Sequence, residues 1–115
     1  MIIHGVVHLK ALPGSPSNSK ELNEITKLAQ KDVENLYKAG VDGIIIENFG
    51  DVPFVKNDIS KRTLASFTSV VQKLEINSDL KVGINVLRND GIAALSIAEA
   101  TNSDFVRINV LNNVM

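Results

Sequence analysis

Four polar residues follow short apolar runs at intervals of 39, 38 and 24 residues: His8, Glu47, Asn85 and Asn109. A carboxylate placed directly after Ile44-Ile45-Ile46 is held away from water, so Glu47 needs a cationic partner or a metal and is the leading acid–base candidate. His8 can share that work, because imidazole titrates near neutrality and a carboxylate on the next strand would steady it. Asn85 and Asn109 offer amides that orient a substrate or fill the interior with hydrogen bonds. Arg107 is costly inside a fold unless it pairs, with Glu47 the available counter-ion, or receives an anionic group. A stem running out to water at the lower rim is the alternative.

Other chemistries are excluded by type or spacing. The chain has no Cys, which removes disulfides, thiolate metal sites and Cys nucleophiles. His4 and His8 look like a metal pair on paper, but four residues of strand separate them by roughly 13 Å. Neither the phosphate-binding glycine loops, the nucleophile elbow nor the H-E-x-x-H pattern occurs; the residues assign no metal ligands and leave the cofactor and metal dependence open. Twelve basic residues against thirteen acidic ones give a formal charge of −1, which argues against nucleic acid as a partner. Apolar runs fall short of the roughly 20 residues that span a bilayer, and no signal-peptide pattern opens the chain, so the expected location is the cytoplasm.

These residues need elements to position them. Ile2 to Leu9 reads as a strand closed by the turn-rich 12–18 stretch. Leu22, Ile25, Leu28, Ala29, Val33 and Leu36 recur at helical spacing between Ser19 or Lys20 and Ala39, with Gly40 as the stop. Gly43 to Ile46 is a buried strand. A loop of about ten residues follows, and Asp58 or Ser60 caps a second helix with the stripe Leu64, Phe67, Val70, Val71 and Leu74. Lys81 to Leu87 is a third strand, Asp90 caps a third helix to about Ala100, and Phe105 to Leu111 is a fourth strand.

Strands alternating with helices imply parallel pairing in a single α/β domain over 1–115. Loops after the first two strands are long and those before strands are tight, which places the working face at the carboxyl edge of the strands. Alternation puts His4, Val6 and His8 on one face with Ile45 and Glu47, Gly83 and Asn85, and Phe105, Arg107 and Asn109. Val82, Ile84 and Val86, with Val106, Ile108 and Val110, lie on the other face, under the helices. Asp51 and Asp90 open onto the same edge as a loop residue and a helix cap.

Several strings resemble the BtpA family in order and spacing: Gly5-Val6-Val7-His8-Leu9, Leu12-Pro13-Gly14-Ser15-Pro16, Glu47-Asn48-Phe49-Gly50-Asp51, Asn85-Val86-Leu87-Arg88-Asn89-Asp90 and Phe105-Val106-Arg107-Ile108-Asn109. The resemblance implies a (β/α)8 TIM barrel of the ribulose-phosphate-binding type. It implies shared polar positions at His8, Glu47, Asn48, Asp51, Asn85, Arg88, Asn89, Asp90, Arg107 and Asn109. One cyanobacterial branch is tied to photosystem I accumulation, and other members have unsettled activity. Such barrels are about twice as long as this chain. The expectation is therefore the N-terminal half of a barrel, from a shortened chain that is inactive alone. Pairing of two copies through the open sheet edges is the alternative.

Two function classes follow. The first binds or transforms a small anionic or phosphorylated metabolite, with Glu47 and His8 as catalytic residues. Asn48, Asp51, Asn85, Arg88, Asn89, Asp90, Arg107 and Asn109 are then its substrate contacts. The second is a non-catalytic assembly or stabilisation factor.

Overall fold

A computed structural model describes residues 1–51 and 58–108. Among them the elements alternate as β1 (His4–His8), α1 (Leu22–Lys38), β2 (Gly43–Glu47), α2 (Lys61–Lys73), β3 (Lys81–Asn85), α3 (Gly91–Thr101) and β4 (Phe105–Val106). The strands form one parallel sheet in the order β1-β2-β3-β4. This is the expected α/β half-barrel arrangement.

Element ends depart from the sequence reading for local reasons. Ile2 and Ile3 lie outside β1, and the Ile3 N–H donates to Asp42 Oδ2 at 2.8 Å. Asp104 Oδ2 accepts from Val82 N at the same distance, so two of the acidic residues that precede strands tie down the neighbouring strand's entry. The cap of α2 is Ser60 rather than Asp58: Ser60 Oγ accepts from Thr63 N at 3.1 Å. Asp90 caps α3 as expected, accepting from Ala93 N at 3.0 Å. β3 stops at Asn85, two residues before its expected end. The expected continuation of β4 through 109–111 lies outside the described residues.

The core lies between the outer face of the sheet and the helices. Val7, Ile44, Ile46, Ile84 and Val86 are buried there against Ile25, Ala29 and Val33 of α1, Phe67, Val70 and Val71 of α2, and Ala93, Ala94 and Ile97 of α3. Each fully buried Val, Leu or Ile side chain contributes about 1.5–3 kcal/mol.

On the other face of the sheet the first and last strands meet through their side chains. His4 on β1 and Phe105 on β4 stack with ring centroids 5.2 Å apart, although two strands lie between them. Each ring reaches inward over a strand glycine: His4 lies over Gly43, where a Cβ would stand 3.0 Å from its ring. Gly83 makes room, since a Cβ there would sit 2.2 Å from the Phe105 ring.

Candidate functional site

The register sets the upper row of that face. His8 on β1 is level with Glu47 on β2, and Glu47 is level with Asn85 on β3. The register brings Arg107 level with this row: Gly83 pairs with Phe105 and Ile84 with Val106, and Arg107 N donates to Ile84 O at 2.9 Å. Asn109 lies outside the described residues. The same placement overturns the lower-rim alternative for Arg107.

Glu47 is the centre of the row and is only 5% exposed. Its two oxygens face different partners. Arg107 Nη2 donates to Oε2 at 2.6 Å, while His8 Nε2 stands 3.6 Å from Oε1, an ionic contact rather than a hydrogen bond. The partner expected for a desolvated carboxylate is therefore a guanidinium that reaches from β4 across the end of β3. The Arg107 side chain is 41% exposed, and its buried Nε has no hydrogen-bond partner among the described residues. Charge-assisted contacts of this length are among the stronger hydrogen bonds.

Three residues expected to bind substrate make hydrogen bonds that hold loops. Asn48 is buried, and its Oδ1 accepts from Leu87 N at 2.6 Å. Asn48 Nδ2 donates to Leu87 O at 3.1 Å and to Asp51 Oδ2 at 3.2 Å. Asp51 Oδ1 accepts from Leu12 N at 2.7 Å. The loops after β1, β2 and β3 are thus joined through one amide and one carboxylate. Burial pushes the Asp51 carboxyl above its ordinary value, against the opposing hydrogen bonds from Leu12 and Asn48. Asp90 caps α3 and also accepts from Ile59 N at 2.8 Å, which fixes the segment leading into α2.

Arg88 and Asn89 occupy the turn after β3. Arg88 is exposed. Asn89 takes a left-handed conformation at φ 64, and its buried Oδ1 has no partner among the described residues. Asn85 is buried and level with Glu47. Among the described residues no three His, Asp or Glu side chains converge on a metal-sized site.

Residue-by-residue reading missed Phe49 as a member of the site. Its ring stacks on His8 with centroids 4.5 Å apart and planes 23° from parallel. The signal was present in the sequence: a bulky aromatic in a polar loop two residues after the carboxylate, between a buried Asn and a Gly.

Comparisons with known proteins bear on the whole chain. The sequence model of the BtpA family matches residues 1–115. An uncharacterised protein of Thermococcus kodakarensis is 47% identical over 96% of this chain and 42% of its own length. The photosystem I biogenesis protein BtpA of Synechocystis is 42% identical over 96% of this chain and 39% of its own length. An uncharacterised mitochondrial protein of Caenorhabditis elegans is 35% identical, over 92% and 40%. The chain thus spans about two-fifths of the length of these relatives. No solved structure matches.

Proposed function

The chain belongs to the BtpA family, and from that premise we propose that its strand ends receive a small anionic metabolite, a phosphorylated one by preference, as half of a ribulose-phosphate-type TIM barrel. One observation carries the reading. A buried carboxylate is neutralised by an arginine that still has an unengaged Nε, and a half-exposed imidazole faces the other oxygen.

Roles follow from that geometry. Arg107 binds the anionic group through the N–H groups that Glu47 leaves free. Glu47 holds Arg107 on one side and faces His8 on the other. His8 exchanges a proton with the ligand, and Asn85 orients the ligand from the neighbouring strand end. Asn48, Asp51 and Asp90 act by fixing the loops around the mouth. Arg88, Asn89 and Asn109 complete the ligand contacts.

The test is a titration of inorganic phosphate and of a sugar phosphate into the 115-residue chain, followed by NMR shifts of the Arg107 Nε–H and the His8 ring. Both signals are expected to move, and Arg107→Gln to weaken binding about tenfold, the effect of about 1.4 kcal/mol. Absence of any response to either probe overturns the reading.

A second reading, assembly or stabilisation without catalysis, is favoured by the Synechocystis relative, a photosystem I biogenesis protein. The two readings separate when the residues of that relative that align with Glu47 and Arg107 are replaced by Gln. Photosystem I levels that survive the double change support the assembly role. Levels that fall while the protein stays folded support ligand binding.

A further inference from the structure

Phe49 is an exposed aromatic residue with fixed backbone neighbours. On one side Asn48 is tied through its amide to both backbone groups of Leu87. On the other, Gly50 N donates to Leu9 O at 2.9 Å. Gly50 lies so close to the first loop that a Cβ there would stand 2.5 Å from Ala11 N. Between two pinned neighbours, the Phe49 ring is nevertheless 51% exposed. Folding energetics alone give little reason to hold a large apolar ring in half-contact with water. Its ring contact is the imidazole of His8, whose side chain is 52% exposed.

That stack supplies what the ionic contact lacks. A half-exposed histidine facing a carboxylate at 3.6 Å can change its ring orientation on the picosecond to nanosecond scale. A ring lying against its face restricts the plane. With the plane set and Nε2 turned to Glu47, Nδ1 is the nitrogen without a partner among the described residues.

We propose that Phe49 is a positioning residue for His8: it fixes the imidazole so that Nε2 stays on Glu47 Oε1 and Nδ1 is the atom presented to ligand. The inference rests on the reading of His8 as the proton carrier of the site. Neutral His8 then carries its proton on Nε2, facing the carboxylate.

Long-range nitrogen–proton NMR of the full chain reads the two ring nitrogens directly, with His8→Gln assigning the signals. The wild type is expected to show the Nε2–H tautomer in excess when the imidazole is neutral. Phe49→Leu is expected to lose that excess, and Phe49→Tyr, which keeps a stacking ring, to retain it. A folded Phe49→Leu protein with the wild-type tautomer ratio overturns the proposal. If Phe49→Leu fails to fold, cross-relaxation between the Phe49 and His8 ring protons in the wild type decides, and its absence overturns the proposal. Phosphate response at Arg107 is read in the same samples. Its absence from the wild type counts against the proposed function and leaves the tautomer result to judge Phe49.

Discussion

Removing the Arg107 side chain leaves the Glu47 carboxylate in a nearly dry position, with a half-exposed imidazole facing one of its oxygens. Arg107→Ala is therefore expected to cost about 1–3 kcal/mol, the range for a buried acceptor that loses its donor. Glu47→Gln should cost less, because an amide oxygen still accepts from Nη2. Urea unfolding of both variants checks the order, and equal costs would contradict it. Asp51 gives a prediction with a sign. Its folded carboxyl titrates above the ordinary value of 3.8, so the folded state holds its proton more tightly than the unfolded state does. Stability from this group is present in full below the unfolded value and is lost as pH rises through the raised folded value. The stability of wild type minus that of Asp51→Asn should fall as pH rises through that window, and a rise would refute the assignment. The pairing of His8 with Glu47 was legible because alternation along a strand fixes which side chains share a face. Height along the strand is not fixed by alternation: residues 105, 107 and 109 share one face, and only the hydrogen-bond register of β4 selects Arg107 as the member level with Asn85.

Elements were readable where periodicity and caps agree. The helices begin and end within a few residues of their expected limits, because apolar spacing, Ser60, Asp90 and Gly40 all act locally. The loop-joining roles of Asn48 and Asp51 were not readable, since each depends on partners 39 residues away in sequence. The stack of His4 on Phe105 belongs to the same class, because it joins the first and last strands of the sheet. Gly83→Ala tests it. A methyl at that position meets the Phe105 ring well inside contact distance, so the ring must move and the His4 stack must open. The expected cost is about 1–3 kcal/mol, typical of overpacking. Phe105→Ala in the same chain should recover part of it, because the two changes act on one contact. Strictly additive costs in denaturant unfolding would show that the ring does not lie over the glycine.

At the scale of the molecule, the half-barrel presents surfaces that a closed barrel covers. β1 and β4 have unpaired outer edges among the described residues, and closure is how parallel barrels dispose of such edges. Beside β4, α3 buries Ala93, Ala94, Ile97 and Ala98 but leaves Ile92 and Leu95 78% and 57% exposed. Met1, Ile2 and Ile3 are exposed beside β1. Apolar side chains next to open strand edges are the recipe for association between chains, and a formal charge of −1 supplies little repulsion to oppose it. The 115-residue chain is therefore expected to show a mass by light scattering that rises with concentration above the monomer value. Ile92→Glu with Leu95→Glu should lower that rise while leaving thermal unfolding of the dilute chain nearly unchanged, since exposed positions usually shift stability by no more than about 0.5 kcal/mol. A mass that stays monomeric from micromolar to near-millimolar concentration would show that the edges are protected by their own twist and side chains. Association that persists undiminished in the double variant would instead locate the contact at the strand edges themselves, away from the flank of α3.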